Sequence, residues 1–387
     1  MIGYGRQSID DADIAAVVDV LKSDYLTQGP AVEKFETALA ERVGARQAVA
    51  VSSGTAALHI ACLAADLGPN DEAVVPTLTF AATANAARYC GAHVRLADVD
   101  AETLTLPANI EARSSKVVLP VHFAGLPADV KGIRKSVGKD VIIIEDACQA
   151  LGGTDEEGHS VGSCAHSDMT VFSFHPVKNI TTAEGGAITT NDDGLARKLR
   201  ELRTHGMVRD VAQFKNQNAA FEADGTLRPW YHEQQSLGFN YRLTDLQAAL
   251  GVSQLKKLDG FLARRREISA VYDQRFAGMK NVSLPQSNPK LRLMSGQHLY
   301  LLAVDFKALG TNRSAMMQKL KNVGIGTQVH YIPVHYHPYH EALGDYHKAD
   351  FPVAERHYQT TLSIPLFPSM TDEDVDYVSE NIVRILI

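Results

Sequence analysis

The sequence predicts an α/β fold: a large unit with a mostly parallel sheet flanked by helices, followed by a smaller C-terminal α/β unit. Three observations carry that prediction. Short apolar runs alternate with helix-periodic stretches from Ala48 to His205, the signature of consecutive βα units. The chain has 387 residues, too many for one small core. Strand-like and helical runs resume beyond residue 277, after one long helical stretch.

Taken in order, Ser8 with Asp11 has the spacing of a capping box, and Ile14, Val17, Val18 and Leu21 recur at helical spacing, so a first helix is expected to run to about Ser23. The turn Asp24 to Pro30 contains glycine and proline, and a second helix follows over Ala31–Val43. Ala48–Val51 reads as a buried strand and Ala56–Leu67 as the helix after it, with Ser52-Ser53-Gly54-Thr55 between them. Such a strand–turn–helix junction points free backbone N–H groups at an anion, although a plain helix cap reads the same way. Further strands are expected at Ala73–Pro76, Val94–Ala97, Val117–Val121, Val141–Ile144 and Gly185–Thr190. Helices are expected at Ala81–Tyr89, Val130–Ser136 and Leu195–His205. Residues 207–236 read as polar and irregular, and Leu243–Phe276 as one helix whose Arg264-Arg265-Arg266 run is a solvated face. Later strands at Leu299–Val304 and Leu362–Ile364 alternate with helices at Ser314–Asn322 and Asp372–Ile387. The expected organisation is a large unit over 1–250, a connecting helix over 251–276 and a small unit over 277–387.

Composition narrows the function. Hydrophobic residues make up 45%, charged residues 21%, and the net charge is −7 without a basic cluster, which argues against nucleic acid or an anionic membrane as partner. Cys62, Cys90, Cys148 and Cys164 show no paired spacing and read as reduced thiols of a cytoplasmic protein. No apolar run reaches membrane-spanning length. His330, His335, His337 and His340 crowd eleven residues, but Pro333 and Pro338 break any helix there and no acidic or cysteine ligand is interleaved. A sugar-nucleotide contact or a solvated loop is the expectation for them, and no metal.

The chemistry centres on Val171 to Gly186, an apolar run that ends in a glycine pair and carries a single lysine, Lys178. Desolvation lowers a lysine pKa, and the neutral amine attacks carbonyls to form a Schiff base. Alone, such a lysine is more often a solvated loop residue. Asp146, at the end of the most apolar strand, is either a turn cap or a partner for a protonated pyridine nitrogen. A pyridoxal phosphate enzyme needs that lysine and acid, a phosphate cradle such as Ser53-Gly54-Thr55, and a flat group such as Phe80 against the ring. Gly54, Asp146 and Lys178 all follow strand ends, where open α/β sheets bind ligands.

These pieces in this order resemble the DegT-type sugar-nucleotide aminotransferases within the fold-type I pyridoxal phosphate enzymes. The resemblance covers essentially the whole chain and rests on Leu26–Gly29, Ser53–Leu58, Thr79–Asn85, Glu145–Ala150, Ser173–Lys178, Glu184–Gly186, Arg203–Gly206, Gly238–Arg242 and Gln247–Gly251. It implies that Lys178 is the Schiff-base lysine and proton carrier, and that Asp146 pairs with the pyridinium nitrogen. By the same resemblance Phe80 covers one ring face and Gln149 lies near the ring hydroxyl. Gly54, Thr55 and Ser173 would hold the phosphate, and Asn240 would reach the phosphate of a neighbouring subunit, which makes the active site that of a homodimer. Tyr4, Asp24, Tyr25, Leu26, Thr27, Gly54, Ser173, Asn240, Arg242, Gln328, Val329, His330 and Tyr331 are the implied sugar-nucleotide contacts. Relatives with histidine at the lysine position dehydrate sugars; lysine favours transamination.

Within the family, Phe174 to Gly186, Pro229–Glu233 and Gln328–Tyr331 resemble the subgroup that aminates C4 of a UDP-4-keto-6-deoxy-N-acetylhexosamine on the way to pseudaminic acid, with L-glutamate as the expected donor. His232 departs from that pattern, where a second tyrosine after Tyr231 is expected. Two alternatives remain open from sequence: a different 4-keto substrate (a UDP-pentose, or a dTDP- or GDP-hexose), and a regulator that kept the fold but lost turnover.

Overall fold

A computed structural model describes residues 1–343 and 346–387. The first helix, α1 (Asp11–Leu21), starts slightly later than its sequence suggests. Asp10, not Ser8, caps it, and Asp13 returns the capping-box bond. It also ends before Ser23, whose hydroxyl folds back onto the Val20 carbonyl at 2.8 Å. Helix α2 (Pro30–Val43) follows, stopped by Gly44 in the left-handed region.

The βα alternation then builds one seven-stranded sheet. Its elements are β1 (Gln47–Val51), α3 (Gly54–Ala64), β2 (Glu72–Pro76), α4 (Ala81–Tyr89), β3 (His93–Ala97), β4 (Val117–Val118), α5 (Val130–Val137), β5 (Ile142–Asp146), β6 (Met169–Ser173), β7 (Gly186–Thr190) and α6 (Asp193–Arg203). The strand order is β1-β7-β6-β5-β4-β2-β3. Only β7 runs antiparallel to its neighbours, β1 and β6. Strands buried on both faces need continuous apolar runs, and β5 and β6 supply them. Helix α3 is buried almost all round, which explains its string of alanines: only small side chains let it pack this closely between the sheet and α4. The strand expected over Val117–Val121 is only two residues long, because Pro120 lacks an N–H and its carbonyl instead takes the Asp146 N–H at 2.9 Å.

Residues 207–236 are less irregular than expected. Strands β8 (Met207–Val208) and β9 (Glu233–Gln234) pair as a ribbon around the short helix α7 (Gln217–Ala220), with Val208, Phe214 and Ala220 as a small core. The single helix expected over Leu243–Phe276 is two, α8 (Asp245–Leu255) and α9 (Leu258–Phe276). At the break the Lys257 N–H bonds the Gln254 carbonyl at 3.0 Å, and the Lys257 ammonium reaches Asp13 at 2.8 Å. The arginine run is not a solvated face. Arg265 is 1% exposed, and its guanidinium donates to the carbonyls of Gln297, His298 and Leu366. Those contacts tie α9 to an antiparallel sheet of β10 (Val282–Ser283), β11 (Tyr300–Val304) and β12 (Thr361–Ile364). Ile268, Tyr272 and Phe276 of α9 join the core beneath that sheet.

Candidate active site

The carboxyl ends of β1, β5 and β6 open into a cavity of about 570 Å³. Its floor comes from the first sheet: Gly54 and Thr55 open α3, Asp146 ends β5, Ser173 ends β6, and Lys178 sits on the loop that follows. That loop is held firmly. Asn179 donates to the carbonyls of Leu151 (2.8 Å) and Gly296 (2.7 Å), and the Thr181 hydroxyl bonds the Phe174 carbonyl at 3.0 Å.

Lys178 is half-buried, and desolvation holds its ammonium pKa below the ordinary lysine value, against the opposing pull of nearby Cys148 and Asp146. A lowered pKa is what a Schiff-base lysine requires. Asp146 is buried with both oxygens engaged: Oδ2 accepts from the Thr83 hydroxyl at 2.7 Å and Oδ1 from the Cys148 N–H at 3.2 Å. Thr79 and Thr83 hydroxyls lie 2.8 Å apart, so a short relay on α4 fixes the carboxylate. Phe80 caps α4 and is 60% exposed at the cavity, with its ring centroid 5.9 Å from that of Tyr331. Gln149 accepts from the Ala124 N–H at 2.6 Å and donates to the Tyr331 hydroxyl.

The opposite wall is C-terminal. Gln328, Val329, His330 and Tyr331 line it, with Tyr4 from the N-terminus and His298. His330 pairs with Ser363 at 2.8 Å, and burial pushes its pKa down to about 3. The histidine-rich stretch is therefore no solvated loop: His330, His335 and His340 are buried, and His335 bridges Thr77 (2.6 Å) and Glu355 (2.8 Å). His330 and His335 thus face separate partners, and neither ring nitrogen of His340 has a hydrogen-bond partner among the described residues.

Six of the residues singled out from sequence do not line this cavity. Asp24, Tyr25, Leu26 and Thr27 form an exposed turn whose Thr27 bridges Thr244. Asn240 is exposed, and Arg242 bridges Val51 beside the start of α3. Three residues that sequence reasoning passed over do matter to the site. Thr83 lies within the Thr79–Asn85 motif, one turn after Phe80, and that spacing was a usable signal. Cys148, inside the Glu145–Ala150 motif, packs against Gly54, and His298 sits beneath the wall with no pattern of its own.

The sequence signature of the DegT/DnrJ/EryC1/StrS aminotransferase family matches residues 7–383. The chain belongs to that family. It is 41% identical to the spore coat polysaccharide biosynthesis protein SpsC of Bacillus subtilis, over 97% of this chain and 95% of SpsC. Among solved structures it resembles Helicobacter pylori PseC, an aminotransferase involved in the biosynthesis of pseudoaminic acid, with a TM-score of 0.88, 28% identity, and coverage of 100% of this chain and 99% of that one. Spr1654 of Streptococcus pneumoniae, solved in PMP- and PLP-forms, matches in its PMP-form with a TM-score of 0.87, 28% identity, and coverage of 100% and 99%. The chain is thus a sugar aminotransferase that takes a nucleotide sugar and an amino donor, and the family's cofactor is pyridoxal 5′-phosphate.

The residues present fit that cofactor. A Cβ on Gly54 would stand 2.9 Å from the Ser173 Cβ and 3.2 Å from the Cys148 sulfur, so the α3 N-terminus and Ser173 form a close cradle that only glycine permits. Gly186 serves the same cradle from behind: a Cβ there would strike the Ser53 carbonyl at 2.5 Å. At Gly186 the missing Cβ thus admits backbone against backbone. Among the described residues, no helix is long and apolar enough to cross a membrane.

Proposed function

We propose that this aminotransferase moves an amino group from L-glutamate to C4 of a UDP-4-keto-6-deoxy-N-acetylhexosamine, giving UDP-4-amino-4,6-dideoxy-N-acetyl-β-L-altrosamine. The observation that carries the reading is the convergence of a desolvated lysine, a buried carboxylate and a glycine cradle in one cavity. Pyridoxal phosphate supplies the carbonyl that takes the amine and the ring that accepts the electron pair. Lys178, neutral in a larger fraction than a solvated lysine, carries the proton at Nζ between donor and acceptor carbons. Asp146, oriented by Thr83, keeps a proton on the ring nitrogen. Gly54, Thr55 and Ser173 bind the phosphate, Phe80 screens the ring from water, and Gln149 holds its hydroxyl side. Tyr4, Gln328, Val329, His330 and Tyr331 receive the sugar nucleotide.

Asn240, Arg242 and the turn Asp24–Thr27 complete the site of a second copy in this reading. Tyr25, Leu26, Trp230 and Leu237 are exposed, and large apolar side chains left in solvent are in keeping with a homodimer. The substrates and the free thiols suit the cytoplasm.

The likeness to PseC and the match at Gln328–Tyr331 support the UDP-N-acetylhexosamine substrate. The higher identity to SpsC favours a second reading, C4 amination of another nucleotide 4-keto sugar. Purified UDP-, dTDP- and GDP-4-keto sugars, each offered with glutamate, separate the two. The amino product of the altro configuration is expected from the UDP-N-acetyl substrate. Nitrogen transfer only to a dTDP- or GDP-sugar would overturn the first reading.

A further inference from the structure

Tyr331 reaches across the cavity from the C-terminal wall to the floor. The Ala124 N–H is a donor, so the atom of Gln149 that it meets at 2.6 Å is the carbonyl oxygen Oε1. That fixes the amide: Nε2 faces Tyr331 and donates to its hydroxyl oxygen. The tyrosine oxygen is thus an acceptor in this bond, and its own proton has no acceptor among the described residues. Burial raises the Tyr331 pKa, and nearby Asp146, Tyr4 and Cys148 raise it further, so the group stays a phenol. Its ring is fixed by neighbours on three sides, Phe80 at 5.9 Å, Phe123 at 6.3 Å and His330 at 4.8 Å between centroids. A buried hydroxyl with an unassigned proton, clamped at the cavity surface beside Asp146, is a donor waiting for an acceptor in the ligand.

We propose that Tyr331 is a catalytic residue: its hydroxyl, held by Gln149, donates to the ring hydroxyl oxygen of the cofactor, and this bond sets the pH at which the Lys178-bound chromophore loses its proton. The inference rests on the pyridoxal phosphate reading of the cavity and adds to it a role for the C-terminal wall. The sign follows from charge. With the cofactor held on Lys178, its ring oxygen would carry more negative charge in the deprotonated form than in the protonated one. A donor at that oxygen stabilises the deprotonated form and lowers the pKa. Loss of the donor raises it, by about one to two pKa units for a hydrogen bond to a charged group. The titratable groups facing the tyrosine are Asp146, Tyr4, Cys148 and His330, and none of them is altered in the test.

The experiment is a spectrophotometric pH titration of holoenzyme in three forms: wild type, Tyr331→Phe and Gln149→Leu. Tyr331→Phe keeps the ring and its packing and is expected to raise the pKa of the visible band by one to two units. Gln149→Leu leaves the donor but frees the ring that it anchors, and is expected to raise the pKa by less. An unmoved pKa in Tyr331→Phe with normal cofactor content overturns the tyrosine's role and leaves the cofactor reading intact. A wild-type protein that binds pyridoxal phosphate without any visible band overturns both. If Tyr331→Phe fails to hold cofactor, an unshifted Gln149→Leu titration overturns the proposal by itself.

Discussion

Two sets of residues singled out from sequence meet different fates in the fold. Gly54, Asp146, Ser173 and Lys178 lie far apart in the chain yet converge on one cavity. Asp24 to Thr27, Asn240 and Arg242 lie on an exposed ridge beside β1 and α8, outside that cavity. The first set is positioned by backbone: each member ends a strand or follows one, and the sheet brings those carboxyl ends together. The second set is also held by backbone pairing, Thr27 against Thr244, Asn240 against Thr204 and Arg242 against Val51, yet it stands outside the cavity. Arg242 has a planar fork of donors suited to a diphosphate or carboxylate. With the proposed dimer, the contrast would be between a site completed by topology and one completed by assembly.

The sharpest way to break that contrast is at its centre. Lys178→Ala is expected to lower transamination at least a thousandfold while leaving the thermal midpoint close to wild type, because the lysine serves chemistry and not the core. Activity above a thousandth of wild type, measured with glutamate and the accepted sugar, would remove Lys178 from its role. The second set calls for a mixing experiment. Lys178→Ala and the double variant Asn240→Ala/Arg242→Ala are each expected to be inactive. Mixed under conditions of chain exchange, they should regain activity, because one site of each mixed dimer has both halves intact. If tagged co-purification shows exchange and activity stays absent, the ridge does not serve a partner's cavity.

The same contrast explains how much was readable in advance. The α/β class, helix Ala81–Tyr89 and the floor of the site were legible because strand–turn–helix junctions are local patterns. The break between α8 and α9 was not, since it contains neither proline nor glycine. It forms around Lys257, whose partners are Asp13 and Asp10, the latter 247 residues away in the chain. Arg265 misled for the same reason: three consecutive arginines look solvated until the carbonyls of Gln297, His298 and Leu366 converge on one of them. The histidines of the wall are the extreme case, because only burial from several elements distinguishes them from a polar loop.

That burial gives the smallest of the expected effects. His357 is buried, its Nε2 donates to the His330 carbonyl at 3.0 Å, and burial pushes its pKa down to about 4. His330 is pushed down to about 3 and His298 also well below the usual value, both by burial first and by Lys178 second. Each folded-state value lies below that of the unfolded chain, so unfolded histidines take up protons that the folded ones refuse. Their contribution to stability is complete above about pH 6.5 and is lost progressively as pH falls toward 4, at roughly 1 kcal/mol per group for the first pH unit. Carboxylates elsewhere titrate in the lower part of that window, so wild type alone does not isolate the effect. His357→Gln does: glutamine keeps a donor for the His330 carbonyl but carries no titrating group. Between pH 7.5 and 5.5 the thermal midpoint of the variant should fall by about 2 °C less than that of wild type. Equal falls would mean that the wall histidines do not stay neutral in the folded protein, and the tyrosine beside them would then work in a more polar setting than the cavity floor.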